Sequence, residues 1–175
     1  HRVDRRQRQM CIRDRMTTLY ELVEIVRESR GRTADVFPLP DVDDCIDFAI
    51  TEAGEYLDAL KRENTTYKRN RDKDHDARKE IGQCGYMIAS AVIQVPTGHL
   101  DAMDWQPYVG PSEITLYRLF KTLADVRDGM NNKWENPHVD AFDEWHAFAV
   151  LCGYDPADLL RETCAAFEAK HLQGA

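Results

Sequence analysis

The chain has 175 residues, enough for one domain with a buried core. Hydrophobic residues make up 43% and charged residues 31%, an ordinary globular balance, and no apolar run reaches the roughly 18 residues of a membrane span. A net charge of −8 argues against a general nucleic-acid binder, whose contact face would be basic. In chain order, "HRVDRRQRQMCIRDR" comes first, with six Arg and two Asp and no amphipathic period. It lacks the apolar core of a secretory signal, and "MCIRDR" resembles translated sequencing-adapter read-through. Residues 1–15 therefore read as a non-native or disordered extension, with the biological start at Met16. Setting this +4 segment aside takes the balance to −12.

Residues 16–175 read as one all-α domain: a core over 17–95, an irregular segment over 97–111 and further helices over 112–172. "TTLYELVEIVRESR" places Leu19, Leu22, Val23 and Val26 at helical spacing, with Thr17 or Thr18 as cap. Gly31 and "FPLP" are expected to end this helix. Asp41 is a candidate N-cap for "VDDCIDFAITEAGEYLDALKRE", whose core stripe reads Ile46, Ala49, Ile50, Ala53, Leu57 and Leu60. A charged connector, "NTTYKRNRDKDHD", leads to "ARKEIGQCGYMIASAVIQV". Gly98, Pro107, Gly110 and Pro111 break the next stretch. "SEITLYRLFKTLADVRDGM" reads as a helix capped by Ser112, and Asp140 as the cap of "AFDEWHAFAVLCG". Asp155 and Pro156 open the last helix, "ADLLRETCAAFEAKHL". The five cysteines form no C-x-x-C pair and read as reduced thiols of a cytoplasmic protein.

The third helix poses a question. From Ile81 to Val95 it carries no formal charge, yet it opens on Glu80 with Gln83 one turn later. A carboxylate at the mouth of a buried helix is costly unless a cation meets it. Glu52 and Glu55 share the three-residue spacing on the preceding helix, and Glu52 borders its apolar stripe. Antiparallel packing would bring the two pairs face to face, and hard oxygen ligands from two helices suit Mg²⁺, or Mn²⁺. Spacing alone favours a plainer reading: a solvated face at Glu52 and Glu55, and a first-turn acid at Glu80 held by the helix dipole.

"TEAGEYLDAL" followed by "RKEIGQCGYMI" resembles the signature of the MazG-like all-α nucleoside triphosphate pyrophosphohydrolases: E-x-x-E on one helix, then E-x-x-D on the next. Glu52 and Glu55 match the first pair and Glu80 opens the second, over a likeness spanning about residues 17–95. The resemblance implies a MazG-like helical bundle in which Glu52, Glu55, Glu80 and Gln83 hold Mg²⁺. Glu52 or Glu55 would serve as base, and a (d)NTP would be cleaved to (d)NMP and pyrophosphate. It also implies a homo-oligomer, a dimer or tetramer.

The pattern has departures. Gln83 stands where the family has Asp and brings no charge to a metal. "DPADLLRETCAAFEAKH" resembles the family's closing segment, but Cys164 and Ala166 fall where Asn and Lys are common, which leaves Lys170 as the basic candidate. Arg78 and Lys79, within a turn of Glu80, are the other phosphate-facing candidates. Lys68, Arg69, Arg71 and Lys73, near Tyr67 and His75, alternate with Asp72, Asp74 and Asp76 and read as a self-paired solvated loop. Trp105, Trp134 and Trp145 read as packing residues, and His99, His138 and His146 lack metal-ligand spacing. Two other readings stay open: a lapsed relative that binds a nucleotide or partner without turnover, and a plain helical interaction protein.

Overall fold

Six α-helices make up a computed structural model that describes residues 18–64, 76–95, 116–129 and 136–172. They are α1 (Leu19–Thr33), α2 (Val42–Asn64), α3 (Ala77–Gln94), α4 (Leu116–Arg127), α5 (Pro137–Leu151) and α6 (Pro156–Leu172). No strand occurs among the described residues, so the chain is an all-α helical bundle, as its periodicity indicates. None of the described helices is long and apolar enough to cross a membrane. The N-terminal extension, Thr17, the cations of the 65–75 connector with Tyr67 and His75, the 97–111 segment, Ser112, His99, Trp105 and Trp134 lie outside the described residues.

Local capping sets most helix starts. The Thr18 hydroxyl accepts from the Glu21 amide at 3.2 Å while Glu21 accepts from the Thr18 amide at 2.7 Å, a reciprocal box. Asp41 accepts from the Asp44 amide at 2.8 Å, Asp76 from the Arg78 amide at 2.9 Å, and Asp155 from the Ala157 amide at 2.9 Å. Two expectations about helix ends are corrected. Gly31 does not stop α1; it sits in open space inside the last turn, and Thr33 ends the helix by accepting from the Phe37 amide at 2.8 Å. Asp140 does not cap α5, because Pro137 already occupies the first turn and Asn136 holds the cap position.

α3 is the central element. Thirteen of its eighteen residues are buried, and α1, α2, α5 and α6 all pack on it. Small residues make that possible. A Cβ on Gly85 would stand 2.1 Å from Trp145 Cε2, and one on Gly82 would stand 2.5 Å from Thr163 Oγ1. Trp145 lies flat against this gap, fully buried, and donates from Nε1 to the Ile81 carbonyl at 2.8 Å. Core packing is thus the role of this tryptophan, as its sequence context indicated.

α2 lies antiparallel to α3. Gln94, at the end of α3, donates to the Pro40 carbonyl at 2.9 Å just before α2 begins, whereas Glu80, at the start of α3, meets Glu52 further along α2. The apolar stripe of α2 is rotated from the expected one: Cys45, Tyr56 and Ala59 are buried with Ile46, Ala49 and Ala53, while Leu57 is 37% exposed. Ile50 and Leu60 pack at the edge. α4 closes the far side, with Arg127 pairing to Asp47 on α2 at 2.7 Å and Arg118 to Glu144 on α5 at 2.6 Å.

Candidate functional site

The antiparallel pairing of α2 and α3 brings three acids together. One carboxylate oxygen from each of Glu52, Glu55 and Glu80 lies within 4.8 Å of the other two. Glu80 is 1% exposed, and Glu52 and Glu55 are half-buried. Glu80 enters the interior because it stands one position before Ile81 in the first turn of a helix buried on most sides. Glu52 reaches it because its neighbours Ala49 and Ala53 are small and let the two backbones approach.

Crowded acids in a dry setting cannot all stay ionised. Burial pushes the Glu52 carboxyl up to about 8, with the hydrogen-bonded Glu80 and the charge of Glu55 adding to the rise and Lys79 opposing it. A proton therefore holds this cluster together at neutral pH when no other cation is bound. One oxygen of Glu52, Oε2, is buried with no hydrogen-bond partner. An orphaned carboxylate oxygen beside two further carboxylates is a donor set of hard oxygens, which fits Mg²⁺ or Mn²⁺. Lys79 Nζ stands 3.8 Å from Glu80 and is the nearby basic group.

Gln83 lies one turn beyond Glu80 and lines a cleft of about 130 Å³ between the start of α3 and α6. Asp76, Arg78 and Lys79 form its α3 wall, and Leu159, Glu162, Thr163, Ala166 and Phe167 form its α6 wall. Arg78 is committed within this cleft. Its Nε and Nη2 each donate to a Glu162 oxygen at 2.8 Å, a bidentate pair that holds Glu162 below the usual carboxylate range. Lys79 is the exposed cation that borders both the cleft and the acids. Lys170 stands exposed in the last turn of α6, and Cys164 is buried against α1, where its thiol approaches the Ile25 carbonyl at 3.8 Å. Ala166 faces the cleft and offers it no polar group.

Of the sequence-derived candidates, the structure unites Glu52, Glu55 and Glu80, with Gln83, Arg78 and Lys79 in the adjoining cleft and Lys170 outside its lining. Glu162 and Thr163 were missed. Glu162 lies in the stretch that resembles a closing segment but was given no role there, since what engages it and Thr163, Arg78 and Gly82, lies on a different helix. Among the described histidines, His146 is buried and pushed down to about 4 by desolvation, and His138 is lowered for the same reason. Compared with known proteins, the chain matches no family model, no curated protein and no solved structure.

Proposed function

We propose that this chain is a Mg²⁺-dependent nucleoside triphosphate pyrophosphohydrolase of the MazG-like type, cleaving (d)NTP to (d)NMP and pyrophosphate. The observation that carries the reading is the meeting of Glu52, Glu55 and Glu80 from two antiparallel helices, within 4.8 Å, in the order and spacing of the E-x-x-E and E-x-x-D pattern. A solvated helix face would not draw Glu80 into the interior at 1% exposure.

In this reading Glu52, Glu55 and Glu80 hold the ion, with Gln83 as a neutral oxygen donor beside them. Bound there, Mg²⁺ would supply charge against the phosphates and acidify a coordinated water. Glu52 or Glu55 takes the proton of the water that attacks the α-phosphorus. The bond from that phosphorus to the α–β bridging oxygen breaks, and pyrophosphate leaves with the electron pair. Lys79, and Lys170 from the end of α6, supply positive charge to the phosphates. Arg78 contributes only after leaving Glu162, because its donors are engaged there. Assembly with a second copy belongs to the same reading, and the exposed Phe48 and Leu57 on α2 are apolar surface that a partner would cover. A cytoplasmic location accords with the four free cysteines among the described residues.

Gln83 favours a second reading, a relative that binds nucleotides without turnover, because an amide adds no charge to the ligand set. Pyrophosphate release across a panel of (d)NTPs with Mg²⁺ separates the two. Turnover lost in Glu80→Ala and raised in Gln83→Asp supports the hydrolase. Saturable nucleotide binding with no pyrophosphate from either the wild type or Gln83→Asp supports the lapsed relative.

A further inference from the structure

Arg30, near the end of α1, is a buried cation with no role in the reaction above. It is 5% exposed, and no carboxylate pairs with it among the described residues. Its Nε donates to Ser90 Oγ at 3.0 Å and its Nη2 to Met87 Sδ at 3.5 Å. The guanidinium carbon sits 4.6 Å from the centroid of the Tyr86 ring and 5.2 Å from that of Phe37. Nη1 is buried and donates to nothing. The Tyr86 and Ser29 hydroxyls are likewise buried without a hydrogen-bond partner. A buried charge with neither counter-ion nor a full set of acceptors is expensive, and that cost is relieved when an acceptor arrives.

The position of Arg30 relative to the acids says what kind of acceptor. Glu80, Gln83, Met87 and Ser90 follow at intervals of three and four along one side of α3. At 1.5 Å per residue, Met87 stands about 10 Å and Ser90 about 15 Å along the axis from Glu80. That is beyond a phosphate held by the carboxylates, and it is the reach of a nucleoside from its 5′-phosphate to the edge of its base. Phe37 belongs to the non-helical connector between α1 and α2, and its ring stacks on His171 at 4.7 Å while covering Arg30.

We propose that Arg30 reads the nucleobase: with Phe37 moved aside, the base enters edge-on and Nη1 donates in the guanidinium plane to one of its carbonyl oxygens. The proposal rests on the nucleotide reading above and adds a selectivity to it, since adenine carries no carbonyl oxygen. The test is calorimetric binding of inosine, uridine and adenosine 5′-monophosphates to the full chain with Mg²⁺ present, where turnover does not enter because a monophosphate has no α–β linkage. The inosine and uridine compounds are expected to bind on the order of tenfold more tightly than the adenosine compound. Arg30→Met erases that difference, whereas Phe37→Ala strengthens binding of all three and keeps it. A purely structural Arg30 would not move a ratio between bases. Thermal melts identify an unfolded variant, in which case Arg30→Gln replaces Arg30→Met. Equal affinities in the wild type, absence of any binding, or a preference that survives Arg30→Met overturns the assignment. Base-selective binding without pyrophosphate release sinks the hydrolase and keeps Arg30; turnover at equal rates with inosine and adenosine triphosphates does the reverse.

Discussion

Replacing Glu52 with Gln changes how the stability of the metal-free protein responds to pH. In the fold, burial, Glu80 and Glu55 raise the Glu52 carboxyl from 4.5 to about 8. Between those two values the unfolded chain has lost this proton while the folded chain keeps it. Unfolding therefore releases a proton, and stability falls as pH rises through the window. Unscreened, the slope would approach about 1.4 kcal/mol per pH unit; because Glu52 is only half-buried, solvent screening cuts the loss over the window to about 2 kcal/mol. Urea denaturation in EDTA at pH 5, 6.5 and 8 measures it. Wild type loses about 2 kcal/mol across that range relative to Glu52→Gln, which carries no proton to release. Added Mg²⁺ flattens the wild-type curve, because a cation then occupies the place of the proton. Parallel curves for wild type and Glu52→Gln would show that the three acids are not coupled, and the reasoning from their convergence would fail.

Two further substitutions probe the frame that positions the acids. Gly85→Ala sets a methyl 2.1 Å from the Trp145 ring, displaces the indole and breaks its bond to Ile81. It lowers stability by about 3 kcal/mol despite the better helix propensity of Ala, read by denaturation and by tryptophan fluorescence; an unchanged midpoint would contradict the packing. His146, lowered by burial to about 4 from 6.5, contributes stability that is whole above pH 6.5 and disappears as pH falls through 4. The loss is about 3 kcal/mol, so His146→Gln should show a shallower acid-side decline than wild type in acid titration of the folded state.

Much of the helical framework is legible in the residues themselves. Thr18, Asp41 and Asp155 are short polar residues ahead of apolar periods, and each satisfies helix-end amides as such residues do. The three-residue spacing of Glu52 and Glu55, and the lone acid at the head of an uncharged run, mark the candidate site. Leu57 shows where pattern reading fails. It sits at a core position of an idealised wheel, yet the helix is turned so that Tyr56 is buried instead. Arg30 shows a second limit of pattern reading. Nothing in "RESRGR" sets it apart from its charged neighbours, and only Tyr86, Phe37 and Ser90 around it reveal that it is buried.

The sequence by itself determined what is local: helix starts, which residues are spaced to share a face, and an all-α bundle. Caps and periodicity act within a turn or two, and a single stretch of chain holds that information. Only the tertiary structure decided that Glu80 meets Glu52 and Glu55, that Arg78 is engaged by Glu162, and that Glu52 keeps a proton near neutrality. Those properties arise from desolvation and from charges brought by other helices. Their magnitude depends on how closely the backbones approach, which at this site is set by small residues on the facing helices.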